Sequence, residues 1–83
     1  MKFTIAMEAG TKKTAFGVVV PDLPGCFSAG DTVEDAFDNV REAIKIHCEI
    51  LVEEKKDLPV AKSMSEWQKD KEYKGWTWGI VAA

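Results

Sequence analysis

No stretch of this sequence stays apolar for the roughly 18–20 residues that a helix needs to cross a bilayer. We also expect no secretory signal peptide, because the N-terminal residues alternate in polarity and reach Glu8 before an apolar segment could form. We therefore expect a cytoplasmic protein that makes no contact with a membrane.

Cysteine and histidine are scarce. Cys26 and Cys48 are far apart in the sequence, so the C-x-x-C pairs typical of structural zinc sites are missing, and without a secretory signal we expect free thiols. His47 precedes Cys48, but neighbouring side chains of a helix point about 100° apart, and no third group is spaced to complete a nucleophile. We therefore expect no metal, no cofactor and no catalytic residue.

Positive charge is also limited. Lysine and arginine number 11 against 14 aspartate and glutamate residues, and the net charge is −3. The lysines form scattered pairs rather than a basic stripe. Because neutralised phosphates supply most of the affinity for nucleic acids, we expect the chain alone to bind DNA or RNA poorly. An acidic surface suits a basic protein partner instead.

The chain is long enough for one domain, residues 1–83, and 46% of its residues are hydrophobic, which is sufficient for a compact core. Alternating polarity predicts a first strand over residues 2–9. A polar turn at residues 10–13 and a second strand over 14–20 complete a hairpin. Pro21 ends that strand, and residues 26–29 are a short third strand.

Thr32 is the predicted N-cap of a long helix, with Asp35 placed to complete a capping box. Apolar residues then follow the i, i+3, i+4, i+7 spacing for about 20–22 residues. We expect Lys55 and Lys56 in the last turn, where cations suit the negative end of the helix dipole. Pro59 breaks the pattern.

A brief second helix is predicted through residues 66–71, capped by Ser63 or Ser65. Residues 76–81 alternate in polarity and predict a last strand whose two tryptophans share one face and fill the core. The order is β-β-β-α-α-β. Antiparallel strands with the helices on one face of the sheet make this the α+β class, with one long helix on a small sheet.

Residues 21–36 resemble the N-terminal domain of HicB-type antitoxins. They contain a proline-aspartate-x-proline-glycine loop, a short strand, a glycine-acid-threonine cap and the start of a long helix. Similar residues continue along most of the chain: 39–44, Ser63 with Glu66, and Tyr73 with Gly75 and Trp78.

This resemblance implies a degraded ribonuclease-H-like fold and the role of antitoxin in a type II toxin–antitoxin system. The implied partner is HicA, a small basic ribonuclease that cuts messenger RNA through a histidine, and the antitoxin would neutralise it by covering its active face. Family members usually continue into a C-terminal DNA-binding module that helps to form dimers or larger assemblies. The resemblance also implies a homo-oligomer, a dimer. Because the sequence stops at Ala83, we expect this chain to lack the DNA-binding module.

Candidate partner-binding residues lie in the proline-rich loop, at the helix start and at an isolated aromatic: Asp22, Leu23, Phe27, Asp31, Glu34, Asp35 and Trp67. We chose these residues because side chains at such positions are expected to be exposed. The acids at the helix start cap the helix and can also face a basic partner. Trp67 fits an interface anchor or a lid over the core equally well.

Two other functions are open to this sequence. Asp22 could be a carboxylate kept from a metal-dependent nuclease, but two-metal chemistry needs several converging carboxylates, and an Asx-type turn explains Asp22 better. The chain could also be an orphan domain that only oligomerises, through an unpaired edge strand.

Overall fold

The computed structural model of the chain describes residues 1–9, 15–58 and 60–83. The turn predicted at residues 10–13, the first residue of the predicted second strand, Thr14, and the helix breaker Pro59 lie outside the described residues. Within the described ranges the elements are β1 (Lys2–Glu8), β2 (Phe16–Val19), β3 (Phe27–Gly30), α1 (Val33–Glu53), α2 (Met64–Gln68), a 3-10 turn (Lys71–Tyr73) and β4 (Thr77–Ala82).

The predicted α+β order is confirmed. In the part of the chain that is described, the strands form one antiparallel sheet in the order β3-β2-β1-β4. In β1, Ala6 lies opposite Val19 of β2 on one side and Trp78 of β4 on the other. Phe27 of β3 lies opposite Val19. Within the described residues β3 and β4 are therefore the two edges, and β1 pairs with both a neighbour in sequence and the last strand.

One face of the sheet packs against α1. Successive side chains of a strand point to opposite faces, and one stripe of an amphipathic helix faces the core. The buried side chains that meet in this layer are Phe3, Ile5, Met7, Val18 and Val81 from the strands and Ala36, Val40 and Ile44 from α1. Because each large apolar side chain contributes about 1.5–3 kcal/mol when fully buried, this layer is the main source of stability.

The N-cap of α1 is as predicted, but in the described residues the Asp35 carboxylate makes no reciprocal bond to the N–H of Thr32. Thr32 has an extended backbone, and its Oγ1 accepts a hydrogen bond from the backbone N–H of Asp35 at 3.0 Å. Glu34 and Asp35 occupy the first turn, where carboxylates suit the positive end of the helix dipole. The helix has 21 residues, within the expected length. In the described residues no helix is both long enough and apolar enough to cross a membrane.

The end of α1 differs from the prediction. The helix ends at Glu53, so Lys55 and Lys56 follow its last turn instead of lying in it. Lys55 adopts a left-handed backbone (φ 57°), and its N–H donates to the carbonyl of Val52, while the N–H of Lys56 donates to that of Leu51. These two bonds form a Schellman motif that satisfies open carbonyls. The cap therefore relies on backbone bonds instead of lysine charges.

The face assigned to the last strand was also wrong. Val81 lies opposite Phe3 and is buried in the layer under α1, whereas Trp78 lies opposite Ala6 and points to the other face. Both faces of β4 carry apolar side chains, so alternation alone could not tell which of them meets α1. The second helix is shorter than predicted, and Ser63 is its N-cap.

Gly30 lets the end of β3 approach the start of α1. A Cβ placed on Gly30 would overlap the backbone of Ala36 and lie 2.7 Å from the carbonyl carbon of Asp35. Backbone atoms of a helix cannot move aside as the end of a flexible side chain can. Glycine is therefore required here by the distance between two backbones.

We expect Gly30→Ala to lower the free energy of unfolding by about 1–3 kcal/mol, because the added methyl forces β3 and α1 apart. Gly17→Ala is the matched control, since a Cβ at Gly17 would meet nothing within 4 Å. Urea unfolding followed by circular dichroism measures both variants. Equal midpoints for the two would show that the close approach does not constrain the fold.

Candidate functional site

The proline-rich loop, residues 21–26, folds back onto the core. The N–H of Leu23 donates to Val20 at 3.0 Å, and the N–H of Cys26 donates to Leu23 at 2.9 Å. Leu23 is 1% exposed and Asp22 is 5% exposed. The exposure that we expected for these two residues was therefore wrong, because the loop turns their side chains inward.

Asp22 links this loop to a segment far along the chain. Its Oδ1 accepts hydrogen bonds from the backbone N–H of Lys62 and from the indole Nε1–H of Trp67, each at 2.9 Å. Its Oδ2 is buried and has no hydrogen-bond partner within the described residues. We predicted an Asx-type turn for Asp22, but the bonds described for its carboxylate go to Lys62 and Trp67. Asp22 and Trp67 thus meet inside the molecule.

Trp67 is the first member of an aromatic layer formed by Trp67, Tyr73, Trp76 and Trp78. Tyr73 packs edge-on against each of the three tryptophans, with centroid distances of 6.3, 5.4 and 5.6 Å. Lys62 Nζ lies 4.8 Å from the centre of the Trp67 ring, in a cation–π contact. Burial raises the pKa of Tyr73, with smaller contributions from Glu72 and Asp70.

The aromatic layer covers the sheet face opposite α1. Trp78 is the cross-strand neighbour of Ala6, and both Ala6 and Thr4 are buried although they point away from the layer under α1. The expectation that both helices pack on one face is therefore corrected: α1 covers one face, and the segment around α2 contributes to the other. Of the two roles that the sequence allowed for Trp67, interface anchor or lid over the core, these contacts fit the lid.

Two shallow depressions lie next to each other where β3 passes the flank of α1. We call the two together the edge groove. Its apolar end is lined by Ile46 and Ile50, which are 49% and 47% exposed. Phe27 borders this end, but it lies opposite Val19, so its side chain points to the sheet face away from α1. Its acidic end is lined by Asp31 and Asp35, together with Asn39. The volumes of the two ends are about 270 and 370 Å³.

The edge groove brings together part of the predicted site. Asp31 and Asp35 line it, Phe27 borders it, and Glu34 is exposed in the same first turn of α1. The side chains of Asp22 and Leu23 turn inward from the loop, and Trp67 is bonded to Asp22 there, so these three residues do not line the edge groove. Ile46 and Ile50 were missed, although two isoleucines four residues apart and outside the core stripe are a signal that the sequence carries.

The described residues contain no group of three or more histidine, cysteine, aspartate or glutamate side chains that could hold a metal ion. Both cysteines are free thiols, as expected. Burial raises the pKa of the Cys26 thiol, and nearby Cys48 raises it further. A raised pKa disfavours the thiolate, which is the nucleophilic form. Burial therefore disfavours thiolate chemistry at Cys26.

The chain is similar to proteins of one family. A family model described as "HicB_like antitoxin of bacterial toxin-antitoxin system" matches residues 3–83. An uncharacterized 14.9 kDa protein of Haemophilus phage HP1 is 42% identical over 64 residues, which cover 77% of this chain and 48% of the phage protein. The chain thus spans about half the length of that relative.

Solved structures share the fold at substantial identity. The N-terminal domain of the Burkholderia pseudomallei antitoxin HicB superposes with a TM-score of 0.83 at 38% identity, covering 100% of this chain and 98% of that one. A chain of a HicA3 and HicB3 toxin–antitoxin complex superposes with a TM-score of 0.78 at 32% identity, covering 99% and 96%.

We expect Trp67→Phe to destabilise the domain by about 1–3 kcal/mol more than Trp76→Phe, because it also removes the hydrogen bond that the Trp67 indole donates to the buried Asp22 carboxylate. Both variants replace an indole of the aromatic layer with a phenyl ring, so the two lose the same aromatic surface. Urea unfolding gives the two free energies. Equal losses would mean that the bond to Asp22 adds no stability.

Proposed function

Since this chain belongs to the HicB-like antitoxin family of bacterial toxin–antitoxin systems, we propose that it binds and neutralises a HicA-type toxin, a small basic ribonuclease that cuts messenger RNA. The observation that carries this proposal is the 32% identity over 99% of the chain to a chain of a HicA3 and HicB3 complex. The chain supplies a surface, and the toxin supplies the chemistry. Both act in the cytoplasm, where messenger RNA is translated.

The charge of the exposed surface supports this partner. The net charge is −3, and the acids at the start of α1 are exposed. Opposite charges on two proteins speed their encounter and fix their relative orientation. We propose that Phe27, Asp31, Glu34 and Asp35 contact the toxin. Asp22, Leu23 and Trp67 hold the loop that precedes Phe27, so their part in binding is to keep that residue in place.

Neutralisation in this proposal is steric and electrostatic. A ribonuclease needs its basic face to hold the phosphates of RNA. An acidic domain that covers this face blocks the entry of RNA and repels its phosphates at the same time. We also propose that the antitoxin acts as a homodimer. Light scattering of the purified chain, with a dimer mass expected, measures that assembly.

The direct test mixes the purified chain with the toxin encoded by the neighbouring reading frame and a fluorescently labelled messenger RNA. We expect cleavage to fall in proportion to added antitoxin and to stop near equimolar amounts. Cleavage that continues at tenfold excess of the chain would contradict neutralisation. Cleavage by the chain alone, with magnesium or manganese present, would instead support a nuclease.

A second test addresses the acids. Asp31→Asn, Glu34→Gln and Asp35→Asn, combined, should slow association with the toxin about tenfold at low salt, because they remove the charges that steer it. The matched control combines Glu42→Gln, Glu49→Gln and Glu53→Gln, which remove three exposed charges from the solvent side of α1. Stopped-flow fluorescence at two salt concentrations gives the rates. Equal slowing in both triples would show that only net charge matters.

A further inference from the structure

The apolar side chains at one end of the edge groove do not belong to the hydrophobic core. The buried stripe of α1 contains Ala36, Val40 and Ile44. Helical spacing places a second stripe on the flank that lies beside β3, in the order Asp35, Asn39, Ala43, Ile46 and Ile50. Ile46 and Ile50 are half-exposed and one helical turn apart, so they form a contiguous apolar surface on this flank, which is the usual property of a binding site.

The backbone edge of β3 is partly closed. The carbonyl of Cys26 accepts from the N–H of Val20, so it points toward β2. Carbonyls alternate along a strand, and that of Ala29 points outward, where the side chain of Asn39 donates to it at 2.8 Å. A strand added at this edge would have to displace Asn39. The edge groove is therefore suited to docking through side chains.

The charges that line the edge groove indicate what kind of segment can bind there. Asp31 and Asp35 line one end, and Ile46 and Ile50 line the other. At 1.5 Å per residue, Asp35 and Ile46 are separated by about 16 Å along the helix axis. A complementary segment carries a lysine or arginine at one end and a large apolar side chain about 16 Å away, a spacing of about three helical turns.

We propose that the edge groove is the anchoring site for an amphipathic, basic segment of the toxin. Its apolar side chain packs on Ile46 and Ile50, and its cation pairs with Asp31 and Asp35. Desolvated apolar anchors at the centre of an interface carry most of the binding energy, and rim charges add steering. This inference rests on the proposed function, because the toxin supplies the segment.

The test replaces one anchor contact. Ile46→Asp should weaken toxin binding, measured by titration calorimetry, by at least about tenfold, since it places a charge in the apolar end of the groove. Val52→Asp is the matched control: Val52 is 66% exposed and lies outside the groove, so binding should stay within about twofold of the parent chain. Ile50→Asp is a second variant that should act like Ile46→Asp. Thermal unfolding confirms that all three are folded.

The outcomes separate this inference from the proposed function. If the parent chain does not bind the toxin, the proposed function fails. If the parent chain and Val52→Asp bind while Ile46→Asp and Ile50→Asp bind equally well, only the edge groove is wrong. A loss of self-association in Ile46→Asp with unchanged toxin binding would assign the groove to a second copy of the chain and overturn the inference. Tighter toxin binding by Asn39→Ala would point to strand addition and overturn it as well.

Discussion

The packing of α1 against one face of the sheet is the constraint on which the rest of the molecule depends. It directs Ile5, Val18 and Val81 toward one stripe of the helix. The remaining surfaces are then fixed by geometry. The opposite face of β1 must be covered by another part of the chain, and the flank of α1 that passes β3 is left open. The aromatic layer fills the first of these positions, and the edge groove is the second.

A buried carboxylate joins the two layers. Asp22 follows β2, whereas Lys62 and Trp67 come after α1, so the two hydrogen bonds to Oδ1 hold together segments far apart in sequence. Burying a polar side chain is costly unless it is hydrogen-bonded, and here two donors converge on Oδ1 of Asp22. The same bonds keep the loop closed over Leu23, just before Phe27 emerges onto the surface. The exposed residue is thus supported by a buried polar contact.

Local chemistry made much of the fold predictable. Thr32 was identified as an N-cap because the signal lies within four residues, and the length of α1 follows from one periodic stripe. The family resemblance rested on a loop, a cap and a helix that adjoin in sequence, and the family match confirms it. The face of β4 was not predictable, because apolar residues occur at both alternations. Nor was the bond between Asp22 and Trp67, which only the tertiary fold brings within 2.9 Å.

The pairing of β1 with β4 has a consequence for synthesis on the ribosome. Lys2 to Met7 are made first, yet their partners on one side are Thr77 to Ala82. At translation rates of about 5–20 residues per second, the nascent chain carries β1 with one open edge for roughly 4–14 s. The hairpin, β3 and α1 can form during that interval, while β1 still lacks its second neighbouring strand, β4. The sheet is therefore completed, by the pairing of β4 with β1, only after nearly the entire domain has left the exit tunnel.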